Sequence, residues 1–169
     1  LSAARKVKVK RFIFTSTGGV FQRGKNITIN SPKITENEYF RTKELAKDLL
    51  LQCKEIDVCI AYLFFPYGPN QKEPRLIPRL INKIKNGESV TIMENGGPEI
   101  SLIYIDDLIK QLRGLCLANN VEREVIIAGK SVKMKEIIDL ISDFVGKKPI
   151  IKYAENNEDI VAEDTAHKI

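Results

Sequence analysis

The sequence predicts an α/β fold built around a parallel sheet, and three observations carry that prediction. Arg11-Phe12-Ile13-Phe14-Thr15-Ser16 is a short apolar run, of the kind buried on both faces of a parallel sheet. Asp57 to Leu63 is a second such run. Between them Leu45, Leu49, Leu50 and Cys53 recur with helical period over residues 36–54. Strand, helix, strand at this spacing is a βαβ unit, whose parallel strands require a right-handed crossover.

The remaining elements follow from the same signals. Residues 1–8, with Ala3 and Ala4, read as the last turns of a helix, and a chain that opens on leucine is expected to have something before it. The first strand stops at Thr17-Gly18-Gly19. Residues 22–35, rich in Gly, Asn, Ser and Pro, read as a loop long enough to be functional. After the Tyr67-Gly68-Pro69-Asn70 turn, residues 74–86 read as a helix with Leu76, Leu80, Ile81 and Ile84 inward, closed by Gly87. A short strand over 89–93 and the Asn95-Gly96-Gly97-Pro98 turn lead to an extended segment over 101–105. Asp106 and Asp107 are expected to cap the helix over 108–118, where carboxylates meet free amides and the positive end of the dipole. Residues 124–128 read as a strand, 134–145 as an amphipathic helix ended by Gly146, and 150–153 as a further strand. The acidic remainder stops where another helix is expected to begin.

Composition narrows the function. The chain has 169 residues, 43% hydrophobic and 29% charged, which fits a soluble globular protein of one domain or parts of two. No apolar run reaches the roughly 18–20 residues that span a bilayer, and no secretory leader opens the chain, so a cytoplasmic location is expected. Cys53, Cys59 and Cys116 are odd in number, lack C-x-x-C spacing and sit in apolar patterns, which suits reduced core thiols and predicts no metal site. The net charge of +5 and pI near 9.1 come from scattered lysines. Even the densest cluster, Lys6, Lys8, Lys10 and Arg11, lacks an aromatic stacking platform, so it reads as a solvated face and not as a nucleic-acid site. His167 is the single histidine and lies near the C-terminus, which argues against Ser-His-Asp and His-metal chemistry.

The chemistry centres on Tyr39 and Lys43. Residues four apart share a helix face, and a fixed cation beside a phenol favours the phenolate, which then moves protons. Ligands in parallel sheets bind beyond the carboxyl ends of the strands. That rule brings Thr17, the Phe64-Phe65-Pro66 turn and the start of the Tyr39 helix to one crevice.

These residues resemble those of the extended short-chain dehydrogenase/reductases, the family of NAD-dependent nucleotide-sugar epimerases and dehydratases. Residues 10–21 resemble its strand ending in Ser-Ser/Thr-x-x-Val-Tyr, and Tyr39 to Lys43 its Tyr-x-x-x-Lys. Phe64-Phe65-Pro66-Tyr67-Gly68-Pro69 resembles the segment before its substrate region, and Ile103-Tyr104-Ile105-Asp106-Asp107 its Ile-Tyr/His-Val-Asp-Asp. The resemblance implies the second half of a Rossmann-type parallel sheet in residues 1–65, carrying NAD or NADP. A smaller α/β substrate domain would occupy 66–169, with 106–128 packing back on the sheet. It implies that Thr17 bonds the reacting substrate oxygen, Tyr39 is the general base or acid, Lys43 binds the nicotinamide ribose, and Phe64 lies against the nicotinamide.

The implied activity is an NAD(P)-dependent epimerase or oxidoreductase on a small-molecule substrate, a sugar nucleotide or related hydroxyl or carbonyl compound. A non-catalytic dinucleotide-binding regulator or scaffold is the alternative. Family members dimerise through the Tyr-bearing helix, and the apolar outer positions in 45–51 permit a homodimer. Departures accompany the match. No Gly-x-Gly-x-x-Gly occurs among the ten glycines, so the chain is expected to be the C-terminal portion of a longer polypeptide. Gly18 and Gly19 stand where the 4,6-dehydratases carry Asp-Glu, Phe65 stands for a substrate-facing Asn, and Ile100 for a diphosphate-binding Arg, a role Arg75 or Arg79 could take.

Overall fold

The computed structural model describes residues 1–154 and the backbone of 164–166. Its helices are α1 (Ser2–Lys6), α2 (Glu38–Leu51), α3 (Leu76–Asn86), α4 (Ile105–Leu117) and α5 (Met134–Val145). Its strands are β1 (Arg11–Thr17), β2 (Gly24–Ile27), β3 (Asp57–Leu63), β4 (Pro66–Tyr67), β5 (Ser89–Ile92), β6 (Glu99–Ser101), β7 (Ile103–Tyr104), β8 (Glu124–Ile127), β9 (Ser131–Lys133), β10 (Ile150–Tyr153) and β11 (Asp164–Ala166). The fold is α/β, organised on a parallel sheet of order β1-β3-β8. Its register sets Phe12 opposite Val58, Ser16 opposite Tyr62 and Thr17 opposite Leu63.

β3 is central and covered on both faces, which is why an unbroken run from Val58 to Tyr62 is buried. One face carries Val58, Ile60, Tyr62 and Phe64, packed against Leu50 and Cys53 after α2 turns inward and against Val20 and Phe21. The opposite face sets Cys59 and Ala61 against Leu108 of α4, with Val125 and Ile127 of β8 beside them. Arg11 ties α4 to β1: its guanidinium donates to the carbonyls of Leu115 and Ala118, at 2.5 and 2.7 Å, and to Asp57. A third core joins α3 and α5 over the two parallel strands β5 and β10, through Leu80, Ile84, Val90, Ile92, Ile137 and Ile138. Phe65 packs against both the first and the third of these cores.

Several sequence expectations change in detail. In β1 only Ser16 is buried, Thr15 is exposed and the rest are half-buried, because among the described residues the strand has a neighbour on one side only. In α2, Leu45 and Leu49 are 58% and 66% exposed, and the inward stripe runs instead through Phe40, Lys43, Glu44, Lys47 and Leu50. The supposed loop over 22–35 contains β2. The extended segment over 101–105 breaks into β6 and β7, which join different sheets. Ile77, not Ile81, completes the inner face of α3.

Asp106 and Asp107 do not cap α4 through their side chains. The helix starts at Ile105, ahead of both aspartates, so the two carboxylates lie in its first turn, with Asp107 paired to Lys110 at 3.0 Å. Both remain near the positive end of the dipole. Gly87 and Gly146 end α3 and α5 in the left-handed conformation, each with φ of 71°. The helix expected at the C-terminal end and His167 lie outside the described residues; the described backbone of 164–166 is a strand. No helix among the described residues is long and apolar enough to cross a membrane.

The thiols divide by environment. Cys53 and Cys59 are buried, but Cys116 is exposed on α4, which corrects its expected place in the core. Burial pushes the Cys59 thiol up to about 11, leaving almost no thiolate near neutrality. A small thiol reagent at neutral pH should therefore modify Cys116 alone in the native protein and all three cysteines after denaturation. Native labelling of Cys59, read by peptide mass spectrometry, would contradict this packing.

Candidate active site

β1 ends at Thr17 because the chain turns there into a single 3-10 turn over Gly18–Val20, with the Gly19 amide donating to Thr17 Oγ1 at 3.2 Å. Neither glycine has room for a side chain. A Cβ on Gly18 would lie 2.4–2.6 Å from atoms of the Phe64 ring, and one on Gly19 would lie 2.7 Å from the Phe40 ring. Thr17 is thus held on a turn wedged between a ring rising from β3 and a ring descending from α2.

α2 starts where Asn37 accepts a hydrogen bond from the Phe40 amide at 2.8 Å, a side-chain N-cap. Its first turns hold Tyr39 and Lys43 above the end of β1. The Tyr39 ring is 55% exposed and lies 5.8 Å from the ring of Phe40, the residue that covers Gly19. Lys43 Nζ donates to the Thr15 carbonyl at 3.0 Å, and sits 4.9 Å from the Phe14 ring and 5.7 Å from the Tyr39 ring. Its ammonium therefore stands over two aromatic faces, which attract cations. Lys43 is thus tied to β1 two residues before Thr17, while Phe40, next to Tyr39, packs on the turn that follows Thr17.

Phe64 does not join them. Its side chain is 1% exposed, stacked 6.3 Å from Phe21 and pressed under Gly18, so it supports the turn from inside the core and offers no open face to a ligand. A strand-end aromatic reads alike in either role, which is why the sequence could not separate them. The next residue, Phe65, takes φ of 38° in the left-handed region, unusual for a bulky side chain. Ile100 is wholly buried in the third core, while Arg75 and Arg79 are exposed at the start of α3. Among the described residues no group of His, Cys, Asp or Glu is arranged to hold a metal ion.

A polar network behind the site was missed at the level of sequence. Tyr62, fully buried on β3, donates to Glu124 Oε1 at 2.5 Å and accepts from Lys33 Nζ at 2.6 Å. Lys33 also reaches Glu124 at 3.2 Å and Glu44 at 3.6 Å, and Lys47 bonds Glu44 at 2.6 Å. Burial, reinforced by the bond to Glu124, pushes the Tyr62 phenol far up, so it stays a neutral donor. The available signal was Glu44 and Lys47 at helical spacing from Phe40, on the stripe that faces the sheet.

With the geometry in place, comparison with known proteins assigns the chain. A family model described as the NAD dependent epimerase/dehydratase family matches residues 1–128, and the chain belongs to that family. A dTDP-D-glucose 4,6-dehydratase of Dictyostelium discoideum is 28% identical over 125 residues, covering 64% of this chain and 29% of that protein. A UDP-N-acetylglucosamine 4-epimerase from Methanobrevibacter ruminantium M1, solved with UDP-N-acetylmuramic acid, superposes with a TM-score of 0.82 at 23% identity. It covers 98% of this chain and 56% of the other. A UDP-glucuronic acid 4-epimerase from Bacillus cereus, solved with UDP-glucuronic acid and NAD, gives 0.79 at 22% identity over 98% and 54%. The chain therefore spans about half the length of these solved structures, and their likeness concerns the fold.

Two outcomes test the packing. Gly18→Ala should destabilise the protein by about 1–3 kcal/mol, because the Phe64 ring must move to admit the methyl group. Glu124 is drawn opposite ways: burial raises its pKa, but the bonds from Tyr62 and Lys33 outweigh it and the folded value is lowered. The stability it contributes is present above the unfolded carboxylate pKa of about 4.3 and is lost as pH falls through the lower folded value. In acid-unfolding curves Glu124→Gln should flatten that part of the transition. An unchanged curve would remove Glu124 from the network.

Proposed function

We propose that the intact polypeptide containing this chain is an NAD(P)-dependent epimerase acting on a sugar nucleotide, with Thr17, Tyr39 and Lys43 as its catalytic group. Residues 1–65 are its nucleotide-facing half, and 66–169 mainly its substrate part. The reading is carried by one observation: the Thr17 turn is packed under the first turn of the helix that bears Tyr39 and Lys43. A dinucleotide fits this chain in part. Lys43 offers a cation for ribose hydroxyls, but the chain holds no glycine-rich turn to cradle a pyrophosphate.

The cofactor, when bound, supplies reversible hydride acceptance at its nicotinamide ring. The chain's own residues manage the proton. Thr17 donates to the reacting substrate hydroxyl and orients it, while Tyr39 takes the proton from that oxygen and returns it when the carbonyl is reduced. Lys43, with its ammonium 5.7 Å from the Tyr39 ring, holds the cofactor's ribose beside the phenol. An epimerase differs from a one-way reductase in regenerating its cofactor each turnover, so net consumption of cofactor would move the assignment to reductase.

Elimination of water is disfavoured despite the likeness to a 4,6-dehydratase. That chemistry in the family uses an Asp-Glu pair beside the threonine, and here Phe64 and Phe40 leave no room for any side chain at Gly18 or Gly19. For the substrate's diphosphate, exposed Arg75 and Arg79 are the candidate charge-assisted donors, since Ile100 is a core residue. Exposed Leu45 and Leu49 supply the apolar face of a homodimer through α2. The non-catalytic alternative has against it the joint presence of hydroxyl, phenol and ammonium at one strand end.

Tyr39→Phe in the intact protein should lower turnover of a nucleotide sugar by about 10²–10⁴-fold, the range for loss of a general base, with cofactor still bound. Unchanged turnover would eliminate Tyr39 as the base.

A further inference from the structure

We infer that Lys33, Glu44, Tyr62 and Glu124 form a clamp that fixes α2 against the sheet, and that Lys33 is thereby a positioning residue for Tyr39. The inference deepens the epimerase reading and rests on it for its kinetic consequence, though not for its structural one. Four separate segments meet in the clamp. Lys33 comes from the connection between Thr17 and Tyr39, Glu44 from α2, Tyr62 from the middle strand and Glu124 from the edge strand β8.

The connection is closed at its base by backbone bonds from Gln22 to Pro32 and from Ile34 to Val20, both 2.7 Å, and Phe21 bridges Lys33. Lys33 is thereby paired with Phe21, four residues after Thr17, and lies six residues before Tyr39. Its ammonium lies 4.7 Å from the Tyr62 ring centroid and 5.3 Å from that of Phe21, on aromatic faces that attract a cation. The charges balance locally: Lys33 and Lys47 face Glu44 and Glu124, and Asp48 lies outside, 3.3 Å from Lys47.

The clamp is unforgiving because one member is already under-satisfied. Glu44 Oε1 is buried without a hydrogen-bond partner, so this carboxylate relies on the two ammonium groups near its other oxygen. Removing one partner of a buried ionic group costs more than the pair contributes, because the remaining charge is left uncompensated. Glu44 adjoins Lys43 in the chain, so any shift of α2 that relieves Glu44 also moves Lys43 and Tyr39. A displacement of about 1 Å at a reacting group can cost a hundredfold in rate.

The test uses the intact protein with NAD and a nucleotide sugar that the wild type turns over. Lys33→Met should lower kcat at least tenfold, leave KM within about twofold, and speed amide exchange in residues 35–47 but not in α3 or α5. Lys33→Arg, which keeps the cation, should restore both measures. If Lys33→Met fails to fold, Tyr62→Phe, which removes only the bridging hydroxyl, should show the same pattern at smaller amplitude. Unchanged kcat together with unchanged exchange in a folded variant would overturn the clamp, as would exchange rising equally in α3 and α5. If the wild type turns over no nucleotide sugar, the epimerase reading fails, and exchange over 35–47 alone still decides the clamp.

Discussion

The structure depends on two close contacts, the Phe64 ring against Gly18 and the Phe40 ring against Gly19. They fix the turn after β1 between the sheet and α2, and with it the separation between the hydroxyl of Thr17 and the phenol-ammonium pair on the helix. A side chain at either glycine would push the layers apart. The same two contacts leave no room for a side chain at either position, so one packing constraint sets the geometry of the turn.

The inward face of α2 joins fold to site. It is unusually polar for a surface that meets a sheet, with Lys43, Glu44 and Lys47 all turned inward while Leu45 and Leu49 face outward. Buried charges persist where partners and hydrogen bonds compensate their desolvation, and Lys33, Tyr62 and Glu124 supply those partners here. The helix is held by directional polar contacts on the side of the proposed catalytic group and by Leu50 and Cys53 at its other end. Directional contacts constrain rotation of a helix about its axis in a way that aliphatic packing alone does not.

Most of the fold was legible because its signals are local. β3, α5 and β10 carry runs of apolar residues or clean helical periods, and Gly87 and Gly146 mark helix ends by a conformation that glycine favours. The approach of Thr17 to the Tyr39 helix was legible from the βαβ rule. What the sequence hid depends on partners distant in the chain. Leu45 and Leu49 have the right period for a core but lose the inner face to charged residues whose partners lie at positions 33, 62 and 124. Phe64 was assigned by likeness to a motif, and only packing shows it to be a core side chain.

The central claim is that Thr17 and Tyr39 act on one atom. A crystal structure of the intact protein with NAD and a nucleotide sugar tests it most directly, by the distances from Thr17 Oγ1 and Tyr39 Oη to the substrate's reacting hydroxyl. Both should fall within about 3.2 Å of the same oxygen. Two oxygens directed into separate compartments, with the substrate ordered in place, would contradict the account.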